Sequence, residues 1–317
     1  MTSPNNVQRK TVQPFGGVSP SRMRQAISQA EQAALLACVT IETVTGHAEL
    51  EQVFGLFEKV WQPESGNPPV HRDMMKALAH SGNYVAGAFR GGDLIGGSVA
   101  FFEEPQHRSL HSHITGILPN VQNGHIGLAL KLFQRAWALE RGILHVRWTF
   151  DPLVARNAYF NVSKLGAFPI QYLPRFYAPM NDSLNGGADS DRLLIDWEIG
   201  SSKVADVVAG SGEVPTPESL GASELLSISE AGLPVLKSTK NRFVTVATPN
   251  DVYTLRKSDP AAANDWRLAV RETLGGVLAE NGVVLAVTRT GKYVLDRAPG
   301  TQAGRTTAEV TSENRRS

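Results

Sequence analysis

Residues 109–142, SLHSHITGILPNVQNGHIGLALKLFQRAWALERG, constrain this chain more than any other stretch. A β-branched and apolar run, SLHSHITGIL, stops at Pro119. A short polar loop with Gly124 and Gly127 follows. A helix pattern then begins with almost no spacer: Ile126, Leu130, Phe133 and Trp137 recur at helical spacing and define one apolar face. The next run, LHVRWTFDP, reads as a strand again. Strand, helix and strand in this order form a βαβ unit. A helix start leaves its first amide hydrogens without intrahelical partners, and the aligned peptide dipoles add positive potential there. Gln122, Asn123, Gly124, His125 and Gly127 therefore form a candidate anion-binding turn, most often for phosphate. Gly124 allows a left-handed or a close-approach backbone. Ordinary turn glycines ahead of a buried helix fit the same spacing. No Gly-Lys-Ser/Thr follows, so this is not a P-loop. The three-glycine dinucleotide fingerprint is absent too.

The flanking patterns place this unit. MRQAISQAEQAALL (23–36) reads as a helix and CVTIETV as a strand. HAELEQVFGLFEKVW is amphipathic, with Leu50, Val53, Phe54, Phe57 and Val60 on one face. HRDMMKALAHSG is a shorter helix ending at Gly82. NYVAGAFR and DLIGGSVAFFEE flank a Gly-Gly-Asp turn and predict a hairpin. A helix over 153–165 and strands FPIQYLPRFY and DRLLIDWEI complete a mixed α/β layout. Residues 201–240 read as linker-like. NRFVTVATP, a helix carrying Ala263, Trp266, Val270, Leu274 and Val277 on one face, and a hairpin VVLAVTR/KYVLDR form a C-terminal extension over 241–298. That extension is marginal as a free domain and is expected to pack on the first part. The polar ends, 1–22 and 299–317, are expected to be disordered. The strand near 188–199 reads as an edge that invites pairing, so a homodimer is an expectation.

With 317 residues, 42% of them hydrophobic, the chain can bury a sizeable core. A formal charge of +1 argues against a nucleic-acid partner. The one cysteine, Cys38, rules out an intrachain disulfide or a cysteine metal cluster, and its apolar surroundings predict a buried small hydrophobe. The N-terminal sequence lacks the apolar core of a signal peptide, and no run long enough to span a bilayer is present; a cytoplasmic protein with no membrane partner is expected.

The order of elements and the turn at 122–127 resemble the GNAT acyltransferase superfamily, whose motif Arg/Gln-x-x-Gly-x-Gly/Ala joins the fourth strand to the third helix. Gln122 and Gly127 match its first and last positions, and His125 stands where glycine is usual. WTFDPLVARNAYFNVSKLGAFPIQY resembles the fifth strand and fourth helix of that superfamily. A poorly characterised branch of predicted GNAT-like acetyltransferases resembles this chain over roughly 36–298, in Ser112-His113, Trp148 to Pro152, Asn157, Asn161, Asp191 to Leu193, Trp266-Arg267 and Arg271. The resemblance implies a mostly antiparallel central sheet with a βαβ core, and acetyl-CoA or another acyl-CoA as cosubstrate. It implies that the amides of 122–127 hold the pyrophosphate, with Asn157 a further contact. It implies an oxyanion donor near Ile114, Thr115 or Gly116, where the fourth and fifth strands splay; Gly116 is expected to ease that splay. The tyrosine that the family often uses as general acid is replaced by Val162, leaving Tyr159 one turn earlier as a substitute.

Acyl transfer from a thioester to an amine needs a proton acceptor, a donor for the developing oxyanion, and protonation of the thiolate. His111 and His113 share one strand face, and His113 is the leading candidate base. Glu103 and Glu104 end the preceding strand; Glu104 can act as base through water. A solvated strand end suits two adjacent acids better. Asp151 either caps the next helix or orients a substrate ammonium. Arg267 and Arg271, one helical turn apart, either meet an acidic substrate or, as the resemblance allows, the coenzyme's 3'-phosphate, or form a solvated or salt-bridged face. No metal site is expected. The functional expectation is an acyl-CoA-dependent acyltransferase acting on an amine of a small molecule or peptide. The alternative is a catalytically silent GNAT fold that binds CoA or a nucleotide as sensor or scaffold.

Overall fold

The computed structural model describes residues 18–63, 68–121, 124–177 and 190–299. The tail expectations for 1–17 and 300–317, and the loop residues Gln122 and Asn123, lie outside these. In chain order the elements are α1 (Pro20–Leu36), β1 (Thr40–Thr43), α2 (His47–Trp61), α3 (Arg72–His80), β2 (Tyr84–Arg90), β3 (Asp93–Phe102), β4 (Ser109–Ile117), α4 (Ile126–Glu140), β5 (His145–Phe150) and α5 (Ala155–Tyr159). Then follow β6 (Phe168–Tyr177), β7 (Ser190–Glu198), α6 (Ser202–Val208), β8 (Ser223–Ile228), β9 (Pro234–Leu236), β10 (Phe243–Val246), α7 (Val252–Ser258), α8 (Pro260–Val270), α9 (Gly276–Ala279), β11 (Val283–Val287) and β12 (Tyr293–Asp296). Two helices contain π-helical turns, Phe160–Lys164 after α5 and Arg271–Gly275 after α8. The chain divides into two compact units, 1–148 with 196–212, and 149–195 with 213–317.

In the first unit the strand order is β1-β2-β3-β4-β5-β7, with β7 contributing its last three residues. Strands β1 to β4 pair antiparallel in sequence, and β4 pairs with β5 in parallel across α4, giving the βαβ core. Strand β7 has β5 on one side and β6 on the other, so the stretch expected to be an edge is an inner strand. The pleat sends alternate residues to opposite faces. On one face Val53 and Phe57 of α2 lie against Gly97, and Val85 and Val99 join their cluster. On the other face Leu130 and Ile126 of α4 lie against Gly96. Tyr84 and Phe102 meet Trp137 of α4 on this same face. Helix α1 covers α4 in turn: Ala26, Ala30 and Ala33 are buried, and Gln29 accepts from the buried Arg135 guanidinium at 2.7 Å. Ser19 caps α1 and Pro20 starts it, three residues before the apolar pattern suggests.

Cys38 corrects its expectation. It is exposed, with a left-handed backbone (φ 52°) just past the end of α1, where its carbonyl accepts from Arg90. The apolar run around it is split between a helix end and a short strand, so its side chain falls on neither buried face.

In the second unit β7 is flanked by β6, and a five-stranded sheet runs β11-β12-β10-β8-β9. Helix α8 buries Ala263, Trp266 and Val270, and the same helix continues through Leu274 to Val277. Trp266 donates to the Gly232 carbonyl at 2.9 Å, and the Tyr293 hydroxyl donates to the Pro152 carbonyl at 2.8 Å. Residues 201–240 carry α6, β8 and β9.

Gly116 is there for a close approach. A Cβ on it would lie 2.6 Å from the Trp61 ring of α2. Gly55, inside α2, has open space where its Cβ would be. Gly116→Ala is expected to destabilise the protein by about 1–3 kcal/mol through overpacking. Gly55→Ala is expected to stabilise it by about 1 kcal/mol through helix propensity. Urea unfolding of the two variants checks the pair; equal effects would contradict this packing.

Candidate functional site

The site is built on the βαβ unit. The β4–β5 ladder runs Ser109↔His145, Leu110↔Val146 and His111↔Arg147, while β4 continues to Ile117. The register between β3 and β4 shifts from Val99↔Ile114 to Ala100↔Ser112, which leaves His113 as the extra residue of a β-bulge. Beyond His111, β4 therefore parts from β5, and the bulge bends it at the same point. His113 is exposed, and its Nε2 lies 3.3 Å from the Pro69 carbonyl. With Nε2 donating there, Nδ1 is the acceptor. Ile114 is half-buried and Gly116 buried. Gly116 makes room for Trp61 rather than easing the splay, which coincides instead with the bulge at His113.

Where the ladder ends, Lys131 of α4 enters. It is 6% exposed. Its Nζ donates to Ser112 Oγ at 2.8 Å, lies 3.9 Å from the Trp148 ring centroid, and is 3.4 Å from Gln134 Oε1. Ser112 and Trp148 are the first residues of β4 and β5 past the last pair, so the ammonium sits at the fork of the two strands. Burial lowers its pKa from 10.5 to about 7. Sequence reading missed Lys131. The available signal was Gln134, which falls four residues after Leu130 and three before Trp137, inside the apolar stripe, with Lys131 one turn before it.

The first turn of α4 carries no side-chain cap, and its first intrahelical bond is Ala129 N–H to the His125 carbonyl at 3.1 Å. Ile126 is buried against the sheet, whereas Gly127 is half-buried. A Cβ on Gly127 would meet only the tip of Ile117, at 3.3 Å. The left-handed residue of the turn is His125 (φ 59°, ψ 7°), not Gly124. Histidine is among the non-glycine residues enriched in that region, so the turn survives the absence of glycine. Uncapped amides and a bare second position fit a phosphate-bearing group.

A row of ionisable groups crosses β3, β4, β5 and β7. Glu103 accepts from Ser109, and lies 3.4 Å from Arg147 Nη1 and 3.9 Å from His111 Nδ1. Arg147 Nε is 3.5 Å from Asp196, which also holds His145 Nδ1 at 3.0 Å. Burial and the neighbouring His113 push the His111 pKa down, against an upward pull from Glu103, so His111 is neutral at pH 7. The hydrogen bond to Asp196 raises that of His145. Glu104 follows the end of β3 at the start of a solvated turn, where its carboxylate accepts from Gln106 and lies 3.9 Å from His107. Of the two glutamates, Glu103 is the one joined to the histidine strand.

Asn157 and Tyr159 belong to the second unit, both half-buried, with Lys164 Nζ 5.9 Å from the Tyr159 ring. Asp151, in the same unit, accepts from the Leu153 amide at 3.0 Å and from Arg256, so it holds the turn before α5. Among the described residues no group of three or more His, Cys, Asp or Glu is arranged to hold a metal, and no helix is long and apolar enough to cross a membrane.

No protein-family model and no curated protein matches the chain. Comparison with solved structures gives GNAT-fold acetyltransferases at low identity. The ribosomal-protein-S18-alanine N-acetyltransferase from Escherichia coli is 11% identical with a TM-score of 0.43, covering 52% of this chain and 96% of that one. A GNAT-family acetyltransferase from Streptococcus pneumoniae is 12% identical with a TM-score of 0.40, covering 50% and 98%. The ribosomal-protein-alanine N-acetyltransferase from Brucella melitensis is 17% identical with a TM-score of 0.39, covering 50% and 98%.

The buried lysine predicts a pH dependence. Its folded pKa is depressed, so between about 7 and its unfolded value the unfolded chain binds the extra proton. Stability therefore rises with pH across that window, by about 1.4 kcal/mol per unit from this group alone. Denaturant unfolding at pH 7 and pH 9 should show the rise in the wild type, and Lys131→Met should remove most of it. A pH profile unchanged by Lys131→Met would contradict the burial.

Proposed function

We propose that the first unit is an acyl-CoA-dependent N-acyltransferase domain that moves an acyl group to an amine of a small molecule or peptide. The observation that carries the reading is the end of the parallel β4–β5 ladder at His111↔Arg147, followed by an uncapped α4 first turn at the far end of β4. Acyl-CoA brings an activated thioester and a diphosphate. The amides of Ile126, Gly127 and Leu128 meet the diphosphate, and the helix dipole favours its charge. Main-chain amides of β4 past Ser112 that point away from β3, in the run containing Ile114 and Gly116, are left for the pantetheine arm and the thioester oxygen. His113 presents Nδ1 at the bulge and takes the proton of the attacking ammonium. His111, backed by Glu103, stays neutral beside it and adds no charge to repel a protonated amine.

Calorimetry with CoA and acetyl-CoA tests the anion turn. Gly127→Asp places a carboxylate in the first turn of α4, where acids favour the helix itself, so folding is kept. It should weaken CoA binding at least about tenfold, the order of one charge-assisted hydrogen bond removed and one repulsion added. His113→Gln should leave CoA affinity unchanged and lower thiol release over an amine panel by about 10²–10⁴-fold. Wild-type protein that binds neither ligand would reject the reading. Binding without thiol release on any amine would favour the silent CoA-binding fold.

A further inference from the structure

The second unit contains a charge cluster that the acyltransferase reading does not use. Asp191 on β7 is fully buried. It accepts two hydrogen bonds from Arg271, at 2.7 and 2.9 Å, one from Tyr172 at 2.8 Å and one from the Arg175 amide at 3.0 Å. Burial pushes its carboxyl up, but these four donors together hold it below the usual carboxylate range. Asp151 is committed to Arg256 and to the Leu153 amide, with Arg192 3.9 Å away. Arg267, on α8 one turn before Arg271, is 1% exposed and feels both carboxylates and the Arg256 charge. Neither acid bonds to it through Nε or Nη1: both nitrogens are buried without a hydrogen-bond partner. Arg271 takes the bidentate partner, and the helix turns π-helical from Arg271 to Gly275, with Gly275 packed on the Tyr172 ring. π-helical turns recur at functional sites.

A guanidinium cannot shed its charge near neutral pH, and a buried charge is kept where something pairs with it. Protein groups satisfy the neighbouring cations in part, yet leave these two nitrogens of Arg267, with three N–H bonds between them, without a protein acceptor. We propose that Arg267 anchors a buried site for a small oxyanion, a phosphate or carboxylate group, in the second unit. The site lies between the Asp151–Arg256 and Asp191–Arg271 pairs. Both carboxylates act electrostatically on the guanidinium without bonding its Nε or Nη1, and Arg256 adds positive potential. The oxyanion accepts from the open nitrogens of Arg267. All groups belong to the second unit, so the proposal stands apart from the acyltransferase reading.

Thermal unfolding of the full chain tests it, with sodium phosphate and sodium acetate against sodium chloride at equal ionic strength. Phosphate or acetate at about 10 mM should raise the wild-type Tm by about 5 °C beyond chloride, as expected for an anion held about 100-fold below that concentration. The anion with the larger effect identifies a tetrahedral or a planar head. Arg267→Leu should abolish the anion-specific rise. If that variant does not fold, Arg267→Lys decides: it keeps the charge but loses the planar donors, and should lose at least half of the rise. No rise beyond chloride in the wild type overturns the proposal, and so does an equal rise in the variants.

Discussion

Leu130 and Ile126 seat against the bare backbone of Gly96, and this contact fixes where helix α4 begins. A side chain at Gly96 would come within 3.2 Å of Leu130 and 3.3 Å of Ile126, so the helix approaches the sheet as closely as glycine permits. The remaining α4 contacts reinforce the placement. Trp137 sits against Tyr84 and Phe102, and Arg135 is tied to Gln29 of α1 and to the Ile199 carbonyl. These contacts seat the first turn of α4, with its uncapped amides, against the sheet. Preorganised donors bind at lower entropic cost than donors on a mobile loop.

The same close packing explains where polar groups are tolerated. Lys131 reaches the fork between β4 and β5, with the Ser112 hydroxyl, the Trp148 ring and the Gln134 amide around its nitrogen. An aliphatic residue would fill that place at less electrostatic cost. A lysine there leaves a polar wedge where the strands separate, instead of an apolar plug that would draw them together. On the other face the sheet carries alternating charges from Glu103 through Arg147 to Asp196 and His145, each partly neutralised by the next. The two faces thus carry different polar groups near the fork, a buried lysine on the α4 side and an ion-pair row on the other.

Much of this architecture was legible in the sequence, because alternation and helical spacing are local signals. Strands FPIQYLPRFY and DRLLIDWEI, helix HAELEQVFGLFEKVW and the βαβ unit fall within a residue or so of the patterns. What was not legible depends on distant partners. Gly116 read as easing the strand splay, but its close neighbour is the Trp61 ring, more than fifty residues earlier in the chain. Gly124 looked like the flexible point of the turn, yet φ shows that His125 takes the left-handed role. Glu103 and Glu104 are indistinguishable as neighbours in sequence. Only the pleat and the pairing of β3 with β4 separate the half-buried one from the solvated one. Arg267 and Arg271 looked equivalent at one-turn spacing. Asp191 pairs with the second, and the first is left buried with open donors.

The proposed acyltransferase makes the leading amides of α4 its phosphate-binding donors. Amide hydrogen exchange read by mass spectrometry tests it most directly, because amides without intrahelical partners exchange fast in the free protein. On addition of CoA the account predicts slowed exchange in the segment from Gly124 to Leu130 and in β4 from Ser112 to Ile117. Bound CoA with protection confined to other segments, and none at Ile126 to Leu128, would contradict it.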